Sequence, residues 1–188
     1  NYSGAVLIAR DGKPVFTAVR GLADREQNIP NTLDTRFRVG SMNKMMTATA
    51  ILQLVQAGKV KLDAPVGTYL KDYPNKDFAS AVTVHHLLTH TGGAGDIFGP
   101  QYNANRLSLN TLKDYVGLYG TRAPEFTPGD NNRYANYGFI LLGRIIEEIS
   151  GQTYPDYLRD HIFKPAGMTR TGFEPESMAI AGRARGYV

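Results

Sequence analysis

Cysteine is absent from this 188-residue chain, and that excludes disulfides, thiolate catalysis and cysteine-ligated metal sites together. No run of about 18 apolar residues occurs, so nothing in it reads as a membrane-spanning helix. Dense runs of one charge are missing too. Arg36 with Arg38 and Arg183 with Arg185 are isolated pairs, not the basic clusters that grip nucleic acid. The 21 basic and 17 acidic side chains leave a net charge of +4, a mild bias toward anionic substrates or an acidic surface. There is no repeat and no low-complexity tract. The chain opens on Asn1 with no charged-then-apolar leader ahead of it, and reads as trimmed at its start. A cysteine-free chain fits a periplasmic or secreted address, with the cytoplasm as the alternative. What remains is globular: 42% hydrophobic and 20% charged residues, enough for one good core or most of a two-layer protein.

Ser3 to Arg10 reads as a strand, Asp11-Gly12 as a tight turn and Lys13 to Arg20 as the returning strand. Gly21 to Asp34 reads as a polar connector, and Thr35 to Val39 as a short extended piece. The pattern then turns helical. A helix is predicted from Ser41 to about Ala57, stopping at Gly58. A short one starts at Leu62-Asp63-Ala64-Pro65, with Asp63 as its cap. Others are predicted over Thr83–His90, over Ser108–Tyr119 with Ser108 as cap, and over Thr153–Phe163. The best defined runs from Asn136, as cap, to Ser150, with Phe139, Ile140, Leu142, Ile145, Ile146 and Ile149 as apolar positions and Gly151 at its end. The organisation is therefore α+β: a hairpin and connector over 1–39, a helical region over 40–170, and a return segment over 171–188. A lone hairpin is marginal in water, and Val6, Ile8, Val15 and Phe16 need cover. Further strands are expected from a C-terminal segment of the same polypeptide or from a second chain.

Gly40-Ser41-Met42-Asn43-Lys44 sets a serine and a lysine three residues apart where the first helix begins. A serine hydroxyl is a poor nucleophile at neutral pH and needs an adjacent base. One helical turn places residues i and i+3 side by side, so the Lys44 amine would lie near the Ser41 hydroxyl. The following Met45 to Val55 is apolar nearly all round, the pattern of a buried helix, and burial favours the neutral amine that can act as a base. The alternative is an N-capping serine beside a solvated lysine. Tyr134-Ala135-Asn136 stands before the best-defined helix, where two polar side chains could converge on one spot. Its plain alternative is a capping asparagine beside a half-buried aromatic.

Taken in order, Gly40-Ser41-Met42-Asn43-Lys44, Leu87-Leu88-Thr89-His90-Thr91-Gly92-Gly93, Pro128-Gly129 and Tyr134-Ala135-Asn136 resemble the serine β-lactamase and penicillin-binding-protein superfamily, in its class C, D,D-peptidase and carboxylesterase branch. Ser3 to Lys13 and Phe163 to Met168 fit the same branch. The resemblance implies a β-lactamase/transpeptidase-like fold, with a helical domain beside a domain containing an antiparallel sheet, and the active site between them. It implies Ser41 as the acylated nucleophile, Lys44 as base or part of a proton network, and Tyr134 as the group passing a proton to the leaving group. Asn136 would contact substrate or Lys44. A phenol beside a cationic lysine ionises more readily than its ordinary value of about 10 allows. An oxyanion donor would be the Ser41 backbone N–H at a helix N-terminus. The family's third motif, Lys-Thr-Gly or a variant on a C-terminal strand, has no counterpart strand in this sequence. Gly186-Tyr187 matches a loop ahead of that strand, so Tyr187 becomes a substrate-binding candidate, and the 188 residues alone are expected to turn over poorly.

The implied partner is a small-molecule ester, β-lactam or D-amino-acid peptide, with ester hydrolysis slightly favoured and no cofactor called for. A class C-like β-lactamase and a D-Ala-D-Ala carboxypeptidase are the alternatives within that class. A non-catalytic penicillin- or peptidoglycan-binding module is the alternative from another. His86 and His90 are spaced i, i+4 like metal ligands, but no glutamate or carboxylate cluster accompanies them, so His85, His86 and His90 read as structural. His90 is expected to buttress the Thr91-Gly92-Gly93 turn. Gly92-Gly93-Ala94-Gly95 lacks the lysine of a phosphate loop and reads as a mobile loop at a cleft rim. Tyr102, Tyr115, Tyr119 and Tyr137 read as core or rim aromatics, with Tyr102 also a candidate to reach substrate.

Overall fold

The computed structural model describes residues 2–174 and 178–187, so residues 175–177 of the expected return segment lie outside it. The chain divides into two units, Asn1–Ser41 with Glu176–Val188, and Met42–Pro175.

In the first unit, strand β1 (Gly4–Arg10) pairs antiparallel with β2 (Lys13–Arg20). Asp11 and Gly12 join them with φ of 50° and 74°. Positive φ at both central positions gives a turn whose twist matches the strands. Ile8 faces Phe16 while Ala9 faces Pro14, which leaves Val15 as the extra residue of a bulge. Both faces of the hairpin are apolar and open: Leu7 is 63% exposed and its neighbour Ile8 53%. The connector holds more order than its polarity suggests. Its β3 (Leu22–Asp24) and β4 (Ile29–Pro30) form a second small antiparallel pair. Buried Asn31 ties the two hairpins together, donating to Ser3 Oγ at 3.0 Å and to the Arg20 carbonyl at 2.9 Å. The return segment meets this unit through a bridge between Arg36 and Arg183.

The second unit is helical. Helices α1 (Asn43–Gln56), α3 (Val84–Leu88), α5 (Leu112–Tyr119) and α7 (Tyr154–Leu158) all pack on others of the group, and α1, α3, α5 and α7 each contact α6 (Asn136–Ser150). Tyr137, Leu141, Leu142, Ile145 and Ile146 of α6 are all within about 1% of fully buried, and each such aliphatic side chain contributes about 1.5–3 kcal/mol. The predicted face of α6 included Phe139, Ile140 and Ile149, which are only half-buried, and omitted Tyr137 and Leu141. The Tyr73 and Tyr137 hydroxyls lie 3.1 Å apart in this core. Burial pushes the Tyr73 phenol up to about 12 and raises Tyr137 as well, so both stay neutral.

Helix termini differ from expectation in instructive ways. Thr111, not Ser108, caps α5, its hydroxyl accepting from Asp114 N–H while Asp114 accepts from Thr111 N–H. That reciprocal box wins over a lone serine because it satisfies two orphan donors. Pro65, not Asp63, occupies the cap of a single 3₁₀ turn over Val66–Thr68. Helix α6 has Ala135 at its cap, so Asn136 is its first residue and its side chain is used elsewhere. Two short helices, α2 (Lys76–Ala81) and α4 (Pro100–Asn105), were not foreseen, and Thr153–Phe163 splits into α7 and a π-turn over Arg159–Phe163. Their length leaves too few residues for a periodic signal. Helix α1 buries only the stripe Thr47, Ala50, Ile51 and Leu54, whereas Met45 is 62% exposed and Leu52 50%. Packing on α6 and α7 covers one side of α1, whatever the apolar character of the other.

Candidate active site

Within the helical unit, residues of the distant stretch 134–139 meet Lys44 on the first turn of α1. Its Nζ donates to Asn136 Oδ1 at 2.7 Å. The same nitrogen lies 4.7 Å from the centre of the Tyr134 ring and 5.4 Å from that of Phe139, so an aromatic face covers each of two sides. Lys44 is half-buried and Tyr134 is 49% exposed. The amine is thus held in place yet reachable.

The Tyr134-Ala135-Asn136 segment is positioned by His90. Residue 90 adopts φ 59°, a left-handed conformation uncommon outside glycine. From there its Nδ1 accepts the Ala135 N–H at 3.1 Å, and its carbonyl accepts the Arg133 N–H at 2.9 Å. Its ring lies 4.6 Å from that of Tyr134 and 5.2 Å from that of Phe139. His90 therefore braces the Tyr-Ala-Asn segment as well as ending the turn at Thr91. Burial lowers its pKa, and the Lys44 charge lowers it further. The neutral ring carries its proton on Nε2, because Nδ1 is occupied as an acceptor. His86 is also structural. Its Nδ1 accepts the Thr83 N–H at 3.3 Å and its own N–H donates to Thr83 Oγ1, closing the box that starts α3. No group of histidines and carboxylates able to hold a metal ion occurs among the described residues.

Gly92, Gly93, Ala94 and Gly95 are buried, so this loop is packed against its neighbours. The Gly93 carbonyl accepts the Glu125 N–H at 2.9 Å. A Cβ at Gly93 would stand 3.0 Å from both Glu125 N and Phe126 O, so the chain passes too close for a side chain. The loop leads into Asp96, which sequence reasoning passed over. Asp96 Oδ1 accepts from Asn136 Nδ2 at 2.8 Å. Only its place after a glycine turn hinted at it, and the 40-residue separation from Asn136 hid the contact.

Ser41 lies in a 3₁₀ turn, Gly40–Met42, that runs straight into α1, and it is exposed. Met42 holds the cap position of α1, with no cap bond from its own side chain. Tyr102 lies on α4, half-buried against the core and edge-on to Phe98 with ring centres 5.2 Å apart, in no described contact with Lys44. Tyr187 belongs to the first unit, where its hydroxyl donates to Glu26 Oε2 at 2.6 Å and accepts the Arg25 N–H at 2.7 Å. The Arg25 guanidinium lies 4.5 Å over its ring. These contacts make Tyr187 an anchor of the return segment. Its hydrogen bond to Glu26 is the first of the influences that lower that carboxyl's pKa.

The chain is similar to known proteins along most of its length. PbpX of Bacillus subtilis (strain 168) is 41% identical over 173 residues, 92% of this chain and 41% of PbpX. Esterase EstB of Burkholderia gladioli is 34% identical over 194 residues, 94% of this chain and 49% of EstB. The crystal structure of a penicillin binding protein from Bacillus halodurans superimposes with a TM-score of 0.83 at 37% identity, over 98% of this chain and 57% of that one. The chain thus spans between two-fifths and half of these curated relatives. Its helices and small antiparallel sheets are those of the β-lactamase/transpeptidase-like fold. The Beta-lactamase family model matches residues 2–188, and the chain belongs to that family.

Proposed function

We propose that the chain carries the acylating residues of a serine hydrolase, with Ser41 as nucleophile. One observation supports this most: Asn136 and Tyr134 come from some 90 residues away to fix a single amine, that of Lys44, three residues after Ser41. In this reading the Ser41 Oγ–C bond forms at the substrate's carbonyl carbon as the serine proton passes to Lys44. The tetrahedral adduct collapses, the bond to the leaving group breaks, and Tyr134 relays a proton to that group. Water then releases the acid and restores the serine. The Asn136 carbonyl binds one N–H of the lysine whether or not the amine is protonated, which leaves the rest of the nitrogen for proton transfer.

Esters are the favoured substrates, since an alkoxide leaves with less help from an acid than an amine does. EstB is named an esterase. The name of the Bacillus halodurans protein favours a second reading, acylation by β-lactams or D-amino-acid peptides. Side-by-side turnover of p-nitrophenyl butyrate, a chromogenic cephalosporin and a D-Ala-D-Ala peptide separates them. The ester should be fastest; a cephalosporin or peptide turned over faster would select the second reading. The open faces of the β1–β2 hairpin further support completion of its sheet by strands outside residues 1–188, and the mass of the natural polypeptide would test that source.

A further inference from the structure

Asp96 stands outside every motif of the sequence, yet it contacts the group that holds Lys44. Its Oδ1 accepts from Asn136 Nδ2 at 2.8 Å and from the Ile97 backbone N–H at 2.7 Å. Asn136 turns its other end, Oδ1, to Lys44 Nζ at 2.7 Å. A carboxylate can only accept hydrogen bonds and an ammonium can only donate them. Of the two ways round for the Asn136 amide, one alone satisfies both neighbours. The loop carrying Asp96 is itself fixed. Arg122 donates to the Asp96 carbonyl at 2.8 Å, and the Tyr119 hydroxyl donates to the Ile97 carbonyl at 3.0 Å in the buried core. The Arg122 guanidinium lies 4.1 Å over the Tyr119 ring.

We propose that Asp96 is a positioning residue whose carboxylate sets the orientation of the Asn136 amide and, through it, the place of the Lys44 amine. The proposal rests on the reading of Lys44 as the partner of Ser41. Without the Asp96 acceptor the amide can turn through half a circle and present N–H to Lys44. An ammonium then loses the bond that holds it, and a neutral amine has the lone pair it needs for the serine proton taken up by the amide N–H.

The test uses the full natural polypeptide. Asp96→Ala should slow Ser41 acylation about 10- to 100-fold, the size of loss that follows from a shift of about 1 Å in a reacting group. Asp96→Asn keeps an oxygen that can accept both N–H groups and should recover to within about 3-fold of wild type. In an Asn136→Ala background, Asp96→Ala should cost nothing further, because its only route is gone. A fully additive loss there would overturn the proposal, and so would an Asp96→Asn variant as slow as Asp96→Ala. The side-chain amide resonances of Asn136, read by ¹⁵N NMR, give a measure independent of activity. They should move in Asp96→Ala and stay near wild type in Asp96→Asn; unmoved resonances in Asp96→Ala would overturn the orienting role. A wild-type protein that never acylates would sink the hydrolase reading alone, with the resonances still deciding what Asp96 does.

Discussion

Replacing His90 by alanine removes three things at once while leaving the left-handed backbone at residue 90 in place. The Ala135 N–H loses its acceptor, and the Tyr134 and Phe139 rings lose a neighbour 4.6 Å and 5.2 Å away. Ala135 is only 4% exposed, so its N–H has little access to water. An orphaned donor of that kind costs about 1–3 kcal/mol, and lost ring contacts about 0.5–1.5 kcal/mol more. The variant should lose about 1.5–4.5 kcal/mol of stability, read as a lower urea midpoint at unchanged slope, near pH 7.5. Acidification gives a second reading. The His90 pKa in the folded chain lies below its ordinary value, so the unfolded chain binds the proton first. Its contribution is fully present above about pH 6.5 and is lost as pH falls through the folded value. The gap between wild type and His90→Ala should therefore narrow below about pH 6.5. A loss under about 0.5 kcal/mol at pH 7.5, the range of ordinary surface changes, would refute the bracing role. So would a gap that widens in acid.

Gly93→Ala should be destabilising for two separate reasons. A left-handed residue other than glycine costs about 1–2 kcal/mol, and the new methyl would meet backbone atoms of Glu125 and Phe126 at 3.0 Å, which cannot swing aside. A thermal midpoint equal to wild type would contradict this close approach. Lys44→Ala should lower acylation of Ser41 by roughly 10³-fold or more while shifting the unfolding midpoint little, as expected when the activating base is lost from a half-buried position. Near-normal acylation would move the base role to Tyr134.

Local chemistry made much of the fold legible. Asp11-Gly12 announced its turn, and α6 was predicted with the C-terminal end it has and a start one residue late, because fifteen residues give four turns of periodic signal closed by Gly151. Two short helices escaped: α2 and α4 have six residues each, too few for a periodic signal. Capping was harder to read. Ser108 and Thr111 both look like caps, and the choice falls to Asp114, whose carboxylate reaches back to the Thr111 and Asn110 N–H groups. The same contrast holds at the site. Lys44, Tyr134 and Asn136 carried a pattern that sequence could show, and the structure brings those three together. Asp96 carried none. Its meaning depends on a loop folded over buried glycines and on an amide 40 positions away. For Tyr187 the sequence offered only its place along the chain, and could not show that its hydroxyl is engaged by Glu26 and Arg25.

The central claim is that Ser41 forms the covalent acyl adduct. The natural polypeptide treated with a fluorophosphonate or a penicillin, then weighed intact and mapped by peptide mass, reads this directly. One added adduct located on Ser41, and none in Ser41→Ala, is the result predicted. An adduct that persists in Ser41→Ala, or a wild-type protein that takes up neither probe, would contradict it and favour a cleft that binds without reacting.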